Sequence, residues 1–214
     1  MNGYFKIIKN LLDEKTRNLI NYRNRKRLTN KNFSLIASNC NGAFILHDLG
    51  IRFNSPFVNL YMLPKDFLKM LHDLKRYMSV ELVEVKENGI SFPIGELEDI
   101  RIYFMHYSTF DEAKFKWNQR RERINYDNLF ILFNDKDNCS ENDLRAFDSL
   151  PYKNKTVFTH LPHHDICSSV YISGFENETE VGNCYEYMPH RLGKKYYDQF
   201  DYVSWFNLES LKED

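Results

Sequence analysis

Apolar residues recur at helical spacing near the start of the chain: Tyr4, Phe5, Ile7, Ile8, Leu11, Leu12, Leu19 and Ile20. That period predicts an amphipathic helix over residues 4–20. Arg23, Arg25, Lys26, Arg27 and Lys31 follow closely and read as a basic linker. Beyond them, short apolar runs alternate with helical patterns. Residues 33–37 predict a strand, and residues 40–49 a helix capped from Ser38-Asn39 and ended by Gly50. Asn54-Ser55-Pro56 breaks the chain, residues 57–62 form a second extended run, and Pro64 suits the first turn of a helix reaching about residue 78. Residues 80–85 and those before Pro93 read as short strands around a turn at Asn88-Gly89. Further strands are predicted at 100–105, 129–133, 155–159 and 170–172. Between them fall helices from Ser108 or Thr109 to about 124 and over 140–149. The tail carries the aromatic pairs Tyr196-Tyr197 and Trp205-Phe206 around short helical stretches.

Strands alternating with helices predict an α/β fold: a mostly parallel sheet flanked by helices, with a small antiparallel excursion near 80–92. Segments 100–133 and 129–159 have the length of right-handed strand–helix–strand crossovers. The expected organisation is an amphipathic helix and basic linker over 1–31, then a single α/β domain over 32–214. A chain of 214 residues is long enough to bury a substantial core.

Composition narrows the function classes. The net charge is −1, from 29 basic and 30 acidic residues, which argues against a surface tuned to nucleic acid. No apolar run is long enough for a membrane span or a secretory signal, so a cytoplasmic location is expected. An apolar helix beside a basic cluster can still rest on an anionic membrane, which makes residues 1–31 a candidate peripheral contact. The alternative is a helix docked on its own domain with a solvated linker. Cys40, Cys139, Cys167 and Cys184 show no C-x-x-C spacing, and free thiols are the expectation. Aromatics at 15% serve cores and sugar-stacking surfaces alike.

In a parallel sheet, functional groups gather at the carboxyl ends of the strands. Three predicted strand ends carry reactive or polar residues: Ser38-Asn39-Cys40, His106 and Asn134-Asp135. Cys40 falls at a predicted helix start, where the dipole favours thiolate. The amides of Cys40 and Asn41, helped by Ser38 and Asn39, could hold an oxyanion, and Gly42 permits close approach of a substrate. His106 could act as base, with Asn134 or Asp135 orienting it. The competing account is an inert buried cysteine, a strand-end histidine and a polar loop. Arg120, Arg121 and Arg123 could bind phosphate or carboxylate, or could compensate a helix dipole. The run His160 to Asp165 holds three histidines and an aspartate, but no distant ligand set accompanies it, and no metal site is assigned. No phosphate-loop or dinucleotide motif occurs, and no cofactor is expected.

These residues resemble a bacterial family of uncharacterised members described as exopolysaccharide or capsular polysaccharide biosynthesis proteins. The likeness rests on Ser38-Asn39-Cys40-Asn41-Gly42-Ala43-Phe44, His47-Asp48-Leu49-Gly50, Asn54-Ser55-Pro56-Phe57 and Phe92-Pro93-Ile94-Gly95. It continues through His106-Tyr107, Trp117-Asn118-Gln119-Arg120-Arg121, Phe133-Asn134-Asp135 and Leu150-Pro151-Tyr152-Lys153. It spans about residues 30–172. The family usually has an aromatic at the position of Asn41 and a second glycine at that of Ala43. More distantly, the pattern is similar to a family described as papain-like cysteine peptidases, which implies Cys40 as nucleophile and His106 as base.

Together these expectations describe a cysteine-dependent enzyme of surface-polysaccharide assembly, transferring an acyl group to a sugar or lipid-linked sugar. The arginines would then hold a phosphate of the substrate. A glycosyl or sugar-phosphate transferase using Asp135, Asp137 and the histidines, and a non-catalytic assembly protein, are the alternatives.

Overall fold

The computed structural model describes residues 3–208. The first element is a long helix, α1 (Gly3–Arg27). The side chains of Tyr4, Phe5 and Ile7, expected on its apolar face, lie outside the described residues. Arg23, Arg25, Lys26 and Arg27, expected in a linker, are part of the helix. After β1 (Ser34–Ala37) come α2 (Asn41–Leu49), α3 (Pro64–His72) and α4 (Leu74–Ser79). Three short strands follow: β2 (Val83–Val85), β3 (Ile94–Leu97) and β4 (Ile100–Tyr103). The chain continues with α5 (Phe110–Arg121), β5 (Leu129–Asn134), α6 (Glu141–Asp148), β6 (Asn154–Thr159) and β7 (Ser169–Tyr171). A 3-10 turn (Tyr196–Gln199) and α7 (Tyr202–Phe206) complete it.

The expected α/β class is the one observed. Four parallel strands form one sheet in the order β1-β5-β6-β7, and β2-β3-β4 form a separate antiparallel sheet. Strand β5 shows why the parallel sheet is buried on both sides. Its residues alternate: Phe130 and Leu132 enter a core with α2 and α7, while Ile131 and Phe133 enter another with α3, α4, α5 and α6. Side chains two apart share a face, so the continuous apolar run Leu-Phe-Ile-Leu-Phe serves two cores at once.

Local signals set several boundaries. Pro64 stands at the first turn of α3. Ser140 and Asp143 form a reciprocal capping box on α6, and Thr109 caps α5. Gly50 ends α2 in the left-handed conformation, at φ 67°. Three expectations are corrected. The helix from Pro64 is broken at Asp73, whose φ of −145° and ψ of 58° are not helical and whose side chain caps α4. Residues 57–62 do not form a strand: among the described residues they join a neighbour at the Tyr61–Tyr103 bridge and by the Met62 N–H donating to the Ser38 carbonyl at 2.9 Å. Segment 100–133 is not a crossover within one sheet, because β4 pairs antiparallel with β3 while β5 lies between β1 and β6.

Candidate functional site

The carboxyl ends of β1 and β5 are fastened to each other by polar side chains. Asn134 Nδ2 donates to Ser38 Oγ at 3.4 Å, and Asn41 Nδ2 donates to Asn134 Oδ1 at 2.9 Å. All three residues are buried. Between them the chain turns from strand into helix at Asn39 and Cys40. Asn39 Oδ1 accepts the Asn41 N–H at 3.0 Å, so this amide is not free to meet an oxyanion as expected. Gly42 has a packing role. A Cβ there would stand 2.6 Å from Ala37 Cβ and 3.0 Å from Leu35 Cδ2, so its missing side chain lets α2 lie on β1 rather than admitting a substrate.

This turn borders a cleft of 340 Å³. Asn39, Cys40 and Asn41 line one side; His106 and Met105, from the loop after β4, line another. Lys136 and Asp137 come from the loop after β5, and Gly182, Asn183 and Tyr185 from the C-terminal segment. Tyr61 and Phe92 complete an aromatic wall, with Tyr61 stacked on Tyr103 at 4.7 Å and Tyr185 on Phe44 at 4.3 Å between ring centroids. A larger concavity of 600 Å³ opens between the β2–β3 loop and the start of α5. None of the expected site residues lines it, whereas Asn39, Cys40 and His106 line the smaller cleft.

Cys40 and His106 are thus brought to one cleft, although β4 is not part of the parallel sheet. Their states differ from those expected. Cys40 is 8% exposed, and its Sγ lies 3.7 Å from the Leu60 carbonyl oxygen, to which it donates. Burial pushes its thiol up to about 11, against a smaller lowering effect of the Leu60 hydrogen bond, the reverse of the lowered thiol expected at a helix start. His106 is exposed and makes no hydrogen bond among the described residues with Cys40, Asn134 or Asp135. Asp135 holds a different histidine: it accepts from the His160 N–H at 2.8 Å and lies 2.6 Å from His160 Nδ1. Its other oxygen accepts the Val181 N–H at 2.8 Å. Burial raises the Asp135 carboxyl above its ordinary value, against the lowering effect of these donors. Neither Asn134 nor Asp135 therefore orients His106. They brace the strand ends and the wall at 181–185.

Asp137 stands out among the lining residues. Its φ is 59° and that of Asn138 is 64°, two successive left-handed residues that are not glycine. The Asp137 N–H donates to Glu180 Oε2 at 2.8 Å, and Lys136 Nζ donates to Asn183 Oδ1 at 3.2 Å. Burial, then the neighbouring Glu180 carboxylate, pushes the Asp137 carboxyl up, while Lys136 opposes the shift. The polar run 134–138 was a visible signal for this loop, but only the pairing of β5 with β6 shows which of its carboxylates faces the cleft.

The arginines do not line it. Arg120 Nη1 donates to Tyr107 Oη at 2.8 Å and its guanidinium lies 5.5 Å from the Phe53 ring centre. Arg121 Nη1 donates to the Val80 carbonyl at 2.8 Å, and Arg123 Nη1 to the Phe53 carbonyl at 3.4 Å. The 160–165 run is also dispersed, since Asp165 pairs with Arg145 at 2.5 Å while His160 pairs with Asp135. Among the described residues no three histidine, cysteine or acidic side chains are grouped to hold a metal ion.

The protein is an α/β protein whose open parallel sheet carries a polar, aromatic-walled cleft at its carboxyl edge, where folds of this class place their ligand sites. The chain belongs to the family defined by a domain of unknown function (DUF1919), which matches residues 11–207. It is also 47% identical over 203 residues to an uncharacterised protein of Haemophilus influenzae, covering 95% of this chain and 98% of that one.

Proposed function

We propose that the cleft takes a sugar-bearing substrate of bacterial surface-polysaccharide assembly and transfers a group to or from it by acid–base catalysis. The observation that carries this reading is that His106 and Asp137 face one cleft between aromatic walls and amide side chains. Aromatic rings offer faces to the apolar side of a sugar, and Asn39, Asn41 and Asn183 offer amides to its hydroxyls. The resemblance to proteins described as exopolysaccharide or capsular polysaccharide biosynthesis proteins supports the substrate class. Asp137 takes the proton of an acceptor hydroxyl as that oxygen forms its bond to the transferred group. The leaving oxygen departs with the bonding electron pair and receives a proton from protonated His106. A carboxyl whose hold on a proton is strengthened by burial and by a neighbouring Glu180 carboxylate is a better base than an ordinary aspartate.

A second reading rests on the place of Cys40 in the same cleft. His106 takes the thiol proton, the thiolate attacks an acyl carbonyl, and a thioester forms as the donor's leaving group departs with the bonding electron pair and receives that proton from His106. A sugar hydroxyl then gives its proton to His106 as its oxygen attacks the thioester, and the thiolate leaves with the bonding pair and takes that proton back. The buried thiol, donating to a carbonyl, makes this the weaker reading.

Substitution separates the two in a bacterial strain carrying the gene, with surface polymer as the readout and folding checked on purified protein. On the first reading, Asp137→Asn and His106→Gln each lower transfer by about 10²–10⁴-fold, and Cys40→Ala leaves it within a few-fold. Loss in Cys40→Ala with activity kept in Asp137→Asn selects the second. Normal polymer from all three variants rejects both and leaves a binding role.

A further inference from the structure

Helix α1 is docked with its amphipathicity reversed. The side facing the domain is polar: Asp13, Arg17 and Asn21 are buried. Arg17 donates to Asp48 through Nε at 3.0 Å and Nη2 at 2.7 Å, and Asn21 Nδ2 donates to the same carboxylate at 3.1 Å. The Gly193 N–H donates to Asp13 Oδ1 at 2.8 Å. The opposite side is apolar and open to solvent: Ile8, Leu11, Leu12, Leu19 and Tyr22 are each between 40% and 55% exposed. Their spacing puts them on one stripe of a helix with 3.6 residues per turn. A helix that serves only its own core turns such a stripe inward.

The same spacing puts Lys15 and Lys26 within the stripe and Arg23 beside it, all exposed. Lys26 Nζ lies 4.5 Å from the centre of the Tyr22 ring. The helix has two acids between residues 8 and 27, and neither is in the stripe: Asp13 is buried, and the spacing puts exposed Glu14 nearer Asn21 than any stripe residue. Beside the helix, the loop at Gly193 presses on Thr16, where a Cβ would come to 2.6 Å of Thr16 Cβ. It presents Leu192, 48% exposed, between the exposed Arg191 and Lys194.

We infer that the outer face of α1, with the 191–194 loop, docks the protein on an anionic lipid bilayer. Apolar side chains enter the boundary between headgroups and acyl chains, while lysine stems lie along it and their ammonium groups meet lipid phosphates. A second copy fits this face poorly, because pairing the stripe with itself would cover Lys15 and Lys26 with a surface that offers no acid within the stripe. The inference stands apart from the chemistry assigned to the cleft.

The test is flotation of the full-length protein with vesicles of phosphatidylcholine, alone or mixed with phosphatidylglycerol. The protein is expected to float with the mixed vesicles, to be released by salt, and to stay behind with phosphatidylcholine alone. Leu12→Glu/Leu19→Glu should weaken vesicle binding at least about tenfold. Its unfolding midpoint should stay at the wild-type value, since both side chains point to solvent. Lys15→Gln/Lys26→Gln should lose the preference for the anionic lipid. No flotation with mixed vesicles, or equal flotation of the leucine double variant, overturns the inference. A wild-type dimer in solution that becomes monomeric in that variant overturns it as well, and assigns the face to a second copy.

Discussion

Asp48 has a more demanding environment than any residue of the cleft. It is 5% exposed and accepts from Arg17, Asn21, Lys195 and Tyr197, on two segments far apart in sequence. Burial raises its carboxyl, but the Tyr197 hydrogen bond and the charges of Arg17 and Lys195 outweigh that and hold it below the ordinary value. An aspartate in the unfolded chain takes up its proton near about pH 4. The folded protein resists that proton, so the stabilisation is fully present above the unfolded value. It is lost as pH falls from there through the lower folded value. Replacing Asp48 with Ala leaves Arg17 and Lys195 without this counter-charge and is expected to cost about 3–5 kcal/mol. Urea unfolding at neutral pH measures that loss. The same titration in acid should show wild-type stability falling more steeply with pH than that of Asp48→Asn. Parallel slopes for the two proteins would mean that Asp48 is not held low.

At the scale of elements, the contact of α2 with β1 positions the Ser38–Cys40 turn, and Gly42 sets its distance. Because a Cβ would stand 2.6 Å from Ala37 Cβ, Gly42→Ala must push the helix off the strand. Overpacking of this kind costs about 1–3 kcal/mol. The glycine's φ does not call for a residue lacking a side chain, so steric contact alone is at issue. Thermal unfolding should show the loss, and Ala37→Gly in the same chain should recover part of it; no recovery would place the strain elsewhere. Local signals of this grain were legible in the sequence. The strands at 33–37, 129–133 and 155–159, the Ser140 cap and the Gly50 stop all follow from period and cap chemistry, and the structure has them. Strand order was not legible, because the β4 run Ile-Arg-Ile-Tyr reads the same in either sheet. The same holds for the site. That His106 meets the Ser38–Cys40 turn at one cleft was not legible from strand ends, because β4, which precedes it, lies in the antiparallel sheet. That Asp135 holds His160 depends on β5 lying beside β6, which no residue announces.

At the scale of the whole molecule, helix α1 and the described C-terminal segment are fastened to each other. Helix α1 reaches the C-terminal segment through the Arg17–Asp198 ion pair, and Arg27 pairs with Asp201 at 2.6 Å. Asn24 Nδ2 donates to Tyr202 Oη at 2.9 Å. Asn207 Oδ1 accepts the Thr29 N–H at 2.9 Å, and Asn207 Nδ2 donates to the Arg27 carbonyl at 2.9 Å. Residues 13–29 thus carry half of a polar network whose other half is Asp48, Asp198 and the tyrosines of the tail. A chain beginning at residue 32 would keep Asp48 and Asp198 but lose Arg17, their shared cation. It would also uncover the side of α2 on which α1 lies. Loss of the Arg17 partnership alone costs about 3–5 kcal/mol, a large part of the roughly 5–15 kcal/mol that stabilises a whole domain. The shortened chain is therefore expected not to fold cooperatively, and the full chain to unfold in one transition reported alike by far-ultraviolet circular dichroism and by tryptophan fluorescence. A shortened chain with the full-length midpoint would make α1 an appendage. If the expectation holds, deletion cannot test membrane docking, because one helix supplies both the inner scaffold and the outer face. Only substitutions on the exposed stripe, such as Leu12→Glu and Leu19→Glu, remove the second role and leave the first intact.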